Sequence, residues 1–344
     1  MKKKLLCIPL LLILALLSAC GDEPERLQVI AMDTVMTFQT YGKAAEDVLV
    51  SASAEVRRLE DLLSRTDPES AVSRVNSAGG APVEAGVELS ALLETAAEYS
   101  RMTGGAFDIT LAPVSSAWGF TTDSYRVPSQ AELDALLAHA GMEHVHVSGD
   151  TVTLDSGTQI DLGAIAKGYA ADRVLDLYRQ AGLERGWAAL GGNVAALGCR
   201  PDGEPWEIGI QDPAQPDDGN AYAGLLYLED ACAVTSGSYQ RYFEQDGRRY
   251  HHILDPATGA PADSGLLSVT VVADAAEGSG AMCDALSTAL FVMGEEQALD
   301  FWRTGGLDFQ LVLVTEDGRV VTTAGLEGRF APAEGSGYTY ETVS

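Results

Sequence analysis

The segment SVTVVADAAEGSGAMCDALSTALFVMG, residues 268–294, decides the fold class when read together with FQLVLVTEDGRVVTT, residues 309–323. Ser268–Ala273 is rich in β-branched residues and reads as a strand. Cys283–Met293 reads as a helix, and Gly294 stops it. Phe309–Thr315 and Arg319–Thr323 flank Glu316-Asp317-Gly318 and read as a hairpin. Strand, helix and hairpin in succession break the strict alternation of a doubly wound sheet. They point to an α+β fold of mixed sheets with packed helices.

Working outward, the rest of the chain keeps this mixed order. Val145–Val147 and Thr151–Leu154 flank Ser148-Gly149-Asp150 as a second hairpin. Ala164–Ala181 reads as a helix closed by Gly182, and Trp187–Leu190 and Glu207–Ile210 as strands. Ser129 with Glu132 three residues on is a capping box after Pro128. Leu89, Leu92, Leu93, Ala96 and Ala97 mark a helix stopping near Gly104-Gly105. Ala45, Leu49, Ala52, Val56, Leu59 and Leu63 lie on one helical face, ahead of Asp67-Pro68. Leu27–Tyr41 alternates and reads as one strand.

The 344 residues could form one large domain or two, and 46% apolar composition suffices for a real core. The formal net charge of −28 disfavours nucleic acid and anionic lipid surfaces as partners. Any bound anion therefore needs a local device, such as a metal ion or a helix N-terminus. Lys2–Lys4, the apolar run Leu5–Leu17 and Leu17-Ser18-Ala19-Cys20 read as a secretory leader over residues 1–19. The run is too short to span a bilayer. Leu-Ser-Ala-Cys resembles the bacterial lipobox, so Cys20 is the expected lipidation site. The expected product is a lipid-anchored protein on the outer, periplasmic side of the cell membrane, with residues 20–27 as tether. Cys199, Cys232 and Cys283 are odd in number and widely spaced, which suits neither a disulfide framework nor a metal motif; they read as buried small hydrophobes, with a single disulfide as the alternative. Residues 334–344 read as a loosely ordered tail.

Four segments carry candidate chemistry. In Thr103–Thr110, two glycines permit close backbone approach to a ligand, Phe107 offers a flat apolar surface and Asp108 an acceptor. A helix cap followed by a strand would look the same. In Ile160–Tyr169, Asp161 precedes a helix start whose N–H groups favour phosphate. Lys167 lies in the first turn, where a cation opposes the helix dipole, and it marks either an anion or a solvent-facing side chain. In the third segment, Thr235-Ser236-Gly237 precedes His251-His252-Ile253-Leu254-Asp255-Pro256. Adjacent histidines on a strand face opposite ways, so one serves a site as general base at most. In the fourth, Asp284 and Thr288 share a helical face. They suit a hard cation such as Mg²⁺, or else a first-turn acid and a back-bonded hydroxyl.

The order and wording of these segments resemble the FAD:protein FMN transferase family, known as ApbE. The resemblance spans roughly Gln28 to Phe330 and takes in Met32-Asp33-Thr34, Ser64–Ser70, Ser73–Asn76, Gly104–Thr110 and Trp118-Gly119-Phe120. It continues through Asp161–Asp172, Gly191-Gly192-Asn193, Thr235-Ser236-Gly237, His252–Gly259 and Asp284–Thr288. Departures are Asp33 and Ala164 for glycines, Ala195 and Ala257 for arginines, and Thr66 for an aromatic residue.

The resemblance implies one catalytic domain over residues 28–333, with FAD in a cleft. It implies Mg²⁺ held by Asp284, Thr288 and the Ala164 carbonyl. Met32, Thr66, Ala106, Phe107, Asp108, Asp161, Lys167, Ser236, His252 and Ile253 would line FAD, with His252 as general base and Lys167 assisting. The implied reaction moves FMN from FAD onto a Thr or Ser hydroxyl of an acceptor flavoprotein, a subunit of a membrane redox complex, and releases AMP. An FAD pyrophosphatase and a non-enzymatic flavin carrier are the alternatives.

Overall fold

A computed structural model describes residues 23–122 and 124–344. Residues 1–22, including the leader and Cys20, lie outside the described residues. Seven helices are found among them: α1 (Ala45–Leu63), α2 (Ala71–Ser77), α3 (Val87–Met102), α4 (Ala112–Trp118), α5 (Gln130–Leu137), α6 (Ala166–Gln180) and α7 (Ser279–Thr304).

A nine-stranded sheet is the frame. Its order is Glu25–Ala31, Thr34–Thr40, Gly186–Leu190, Asn193–Leu197, Ala231–Gly237, Leu266–Asp274, Gln310–Thr315, Arg319–Thr323 and Thr339–Val343. All neighbours are antiparallel except the last pair. Period-two patterning sorts the side chains between two faces. Val269, Val271, Leu311 and Leu313 join the core formed with α1, α6 and α7. Val272, Val312, Val314 and Ala233 turn the other way, against Trp206, Ile210, Leu226 and Leu228 of a three-stranded sheet. The result is helices, sheet and sheet in three layers, an α+β arrangement. A third apolar cluster joins α4 and α5 to Leu254, with Trp118 donating Nε1–H to the Gly259 carbonyl at 2.8 Å.

Several expectations are corrected. Leu27–Tyr41 is a hairpin, because Met32 (φ 49°) and Asp33 (φ 58°) form a two-residue turn. Two consecutive positive φ values suit the right-handed strand twist, and Asp tolerates the left-handed region. The first strand begins at Glu25, inside the expected tether. The tail, expected to be loose, pairs Thr339–Val343 in parallel with Arg319–Thr323 and closes the sheet edge. The helix expected at Ala164 starts at Ala166. At Gly294 (φ 79°, ψ 171°) the helical backbone breaks as expected, but a second helical stretch resumes at once. Cys199, Cys232 and Cys283 are free thiols, in keeping with the absence of a disulfide framework, but only Cys232 and Cys283 are buried and Cys199 is partly exposed.

Candidate active site

A cleft of about 1180 Å³ opens where the tips of two hairpins, Met32-Asp33 and Gly191-Gly192, meet the start of α6, the first turns of α7 and the segment after Arg248–His251. Met32, Thr66, Ala106, Asp108, Asp161, Ala164, Lys167, Ser236, His252, Ile253, Asp284 and Thr288 all line it. Phe107 does not. It is 1% exposed and packs in the main core, so it supports the wall from behind instead of offering a ring to a ligand.

The turn at Met32 is held by Glu60 on α1, whose Oε1 accepts the Met32 N–H at 2.6 Å. Asp161 is fixed on both oxygens. Oδ2 pairs with Arg65 Nη1 at 2.7 Å and Oδ1 accepts the Gly163 N–H at 2.9 Å. Arg65 also reaches Ser116 Oγ at 2.5 Å, tying the end of α1 to α4. Asp108 Oδ1 accepts from the Thr110 N–H and hydroxyl at 2.7 and 2.6 Å. Burial pushes its carboxyl above the usual range, against those hydrogen bonds.

The start of α6 is less open than the sequence suggests. The Gly163 N–H is taken by Asp161, and the Gly168 N–H by Asp284 Oδ2 at 2.8 Å. Lys167 folds back so that Nζ donates to the Gly163 carbonyl at 3.0 Å, which anchors the cation at the cleft wall. On α7, Asp284 is 3% exposed. Thr288 Oγ1 lies 3.2 Å from Ser236 Oγ, and Ser287 Oγ 2.8 Å from the same atom. Asp284 Oδ1 has no hydrogen-bond partner among the described residues. Asp284, Thr288 and Ala164 line the same cleft, and that oxygen, the Thr288 hydroxyl and the Ala164 carbonyl would make an oxygen-only donor set with a single charge. Mg²⁺ fits such a set when waters and phosphate oxygens complete its shell.

The two histidines part as expected. His251 is buried, with Nε2 3.1 Å from the Ala262 carbonyl and its ring edge-on to Phe291. His252 turns into the cleft, with Nδ1 3.2 Å from the Arg241 carbonyl. A carbonyl only accepts, so Nδ1 carries the proton and Nε2 keeps its lone pair. Burial, and after it the nearby Arg241 charge, push His252 down to about 3, so the ring is neutral.

Residues that the sequence reading passed over include Glu60, Arg65, Asn193 and Arg241. Arg65 sits inside a quoted motif, but only the fold reveals its partner 96 residues away. Asn193 is 2% exposed on the cleft wall, and its Nδ2 has no partner.

Known proteins resemble this chain along most of its length. A model of the ApbE family matches residues 32–311. The FAD:protein FMN transferase of Klebsiella pneumoniae (strain 342) is 37% identical over 288 residues, covering 82% of this chain and 86% of that one. That of Treponema pallidum is 34% identical, covering 93% of each. Among solved structures, the ApbE protein of Thermotoga maritima superposes with a TM-score of 0.81 at 33% identity, covering 89% of this chain and 99% of that one. The apo flavinyl transferase ApbE of Pseudomonas stutzeri gives 0.79 at 31%, covering 91% and 98%. With the family model matching most of the chain and the fold shared along nearly its whole length, this chain belongs to the ApbE family.

Proposed function

We propose that the chain transfers the FMN moiety of FAD to a Ser or Thr hydroxyl of an acceptor protein. Its closely related relatives bear the name FAD:protein FMN transferase. The observation that carries the finer reading is convergence. The start of α6, the Asp284 and Thr288 face of α7 and the neutral imidazole of His252 all line one cleft.

In this reading the acceptor hydroxyl attacks the phosphorus on the flavin side of the pyrophosphate. The Oγ–P bond forms, the bond to the bridging oxygen breaks, and AMP leaves with that oxygen. His252 Nε2 takes the hydroxyl proton, while the Arg241 carbonyl holds the ring in the tautomer that can do so. Asp284, Thr288 and the Ala164 carbonyl would hold Mg²⁺, which supplies neutralisation of the pyrophosphate charge. Lys167 adds a fixed positive charge at the same wall. Met32, Thr66, Ala106, Asp108, Asp161, Ser236 and Ile253 line the cleft that FAD would occupy.

Location belongs to the proposal too. Cys20 would carry the lipid, and the body would stand outside the cytoplasmic membrane beside acceptor subunits of membrane redox complexes. The lipobox-like sequence supports this, and no helix among the described residues is long and apolar enough to cross a membrane.

The test is incubation of the protein with FAD, Mg²⁺ and an acceptor subunit, read by in-gel flavin fluorescence and AMP release. Fluorescent acceptor and AMP in equal amounts are expected. AMP and FMN without labelled acceptor would point to a pyrophosphatase. Bound FAD with no AMP under any condition would leave a carrier.

A further inference from the structure

Helices α6 and α7 carry the same short pattern where they cross. It is Gly168-Tyr-Ala-Ala-Asp172 on one and Gly280-Ala-Met-Cys-Asp284 on the other. Residues i and i+4 share a helical face, so each glycine and its aspartate look across the crossing together. The pairing is reciprocal. Asp284 Oδ2 accepts the Gly168 N–H at 2.8 Å, and Asp172 Oδ1 accepts the Gly280 N–H at 2.7 Å. Asp172 Oδ2 also takes the Ala281 N–H at 3.0 Å.

Each carboxylate thus caps the positive end of the opposite helix. Neither helix has a side-chain cap of its own, since Ile165 and Gly278 precede them. The crossing leaves no slack. A Cβ on Gly168 would stand 2.1 Å from the Gly280 carbonyl oxygen, and one on Gly280 2.5 Å from that of Gly168.

We propose that Asp172 is a positioning residue for the cation site. It pins Gly280 and Ala281, one turn before Asp284 on the same face of α7, and so sets where the Asp284 carboxylate stands relative to Ala164 and the cleft. Without that pin, Asp284 alone would hold the start of α7 against α6 while also serving as a ligand. A buried acid is costly to desolvate, and an apolar residue would fill the crossing at lower cost. An acid is used here because two N–H groups must be received at fixed points. The inference rests on the reading of Asp284 as an Mg²⁺ ligand.

The experiment titrates MgCl₂ calorimetrically into FAD-saturated protein, wild type against Asp172→Asn. Asparagine keeps the volume and one acceptor but faces the other N–H with its own amide. Partners that hydrogen-bond a metal ligand directly contribute about 10–100-fold in affinity, and Asp172 acts one turn away through the α7 backbone, so a weakening at the lower end, about tenfold, is expected. FAD affinity in EDTA should change less than about twofold, since Asp172 does not line the cleft. Val320→Ala, on the far side of the main sheet, supplies a control of reduced stability that should bind Mg²⁺ like wild type. If Asp172→Asn does not fold, Asp172→Ser, smaller and with one acceptor, carries the same expectation. Equal Mg²⁺ affinities in wild type and variant overturn this inference alone. No Mg²⁺ binding by the wild type overturns the metal reading, and this inference with it.

Discussion

Asp284 caps a helix and is also the proposed cation ligand, and substitutions separate the two roles. Its Oδ2 caps the buried Gly168 N–H at 2.8 Å, and its side chain faces the cleft beside Thr288. Asp284→Ala removes both functions. Stranding one buried donor costs about 1–3 kcal/mol. At about 2–4 °C per kcal/mol for a large domain, melting should fall by roughly 2–12 °C. Asp284→Asn keeps an acceptor for Gly168 and the same volume, so it should melt within about 1 kcal/mol of wild type. It loses the only negative charge in the proposed donor set. Because loss of an outer partner alone weakens a metal site by about 10–100-fold, loss of the charged ligand should lower transfer by at least about 100-fold. The assay is in-gel flavin fluorescence at fixed FAD and acceptor, with Mg²⁺ varied, alongside thermal unfolding. Both variants should be inactive, but only the alanine variant should melt early. Wild-type transfer by Asp284→Asn would refute the ligand role, and wild-type melting of Asp284→Ala would refute the cap.

His252→Ala should still bind FAD but lose about 10²–10⁴-fold in transfer and in hydrolysis, the usual contribution of a general base; undiminished transfer would move that role to Lys167 or a carboxylate. His251→Ala should spare the chemistry and lower the melting temperature, because that ring is packed against Phe291; a large loss of transfer without a melting shift would contradict this. Burial holds both histidines below their unfolded value near 6.5, so in the acid range the unfolded chain binds more protons than the folded one. Stability should therefore fall as pH drops from about 6.5 towards 3, and His252→Ala should flatten that limb in melting curves, with an unchanged limb counting against the assignment. Cys20→Ala should abolish incorporation of labelled fatty acid while leaving a folded body, and label on that variant would place the anchor elsewhere.

The parts of the fold legible in the sequence are those whose patterns are local. The α1 face from Ala45 to Leu63, the Ser129 cap and the final hairpin all follow from spacing and turn chemistry. The Met32-Asp33 turn was hidden because neither residue signals positive φ as Asn-Gly does, so two strands read as one. The edge strand Thr339–Val343 was hidden because its partner, not its composition, orders it. At the site, the motifs name the wall but not the hydrogen bonds behind it. The Asp161–Arg65 and Asp172–Gly280 contacts span 96 and 108 residues, and nothing within either motif announces the other half. Phe107 shows the opposite error, since its place in a motif suggested contact with a ligand while its size and apolarity sent it into the core.

The charge around the cleft argues for the cation more strongly than any single ligand does. Six acids line it: Asp33, Glu60, Asp108, Asp161, Asp217 and Asp284. Only three bases answer them: Arg65, Lys167 and Arg241. Arg65 is already spent on Asp161, and the chain as a whole is at −28. Two like charges about 4 Å apart repel by about 4 kcal/mol at the effective dielectric near a protein surface. A pyrophosphate brought alone beside Asp284 therefore meets net repulsion, which Lys167 offsets only in part. A divalent cation held by Asp284 would supply attraction in place of that repulsion. FAD affinity, and not turnover alone, should thus depend on Mg²⁺. Flavin fluorescence titrations in EDTA should show binding at least about tenfold weaker than in excess Mg²⁺, and Asp284→Asn should narrow that gap by removing both the repulsion and the ligand. Equal FAD affinity with and without the metal would mean that the α6 end and Lys167 suffice for the phosphates, and that the acidic wall serves something else.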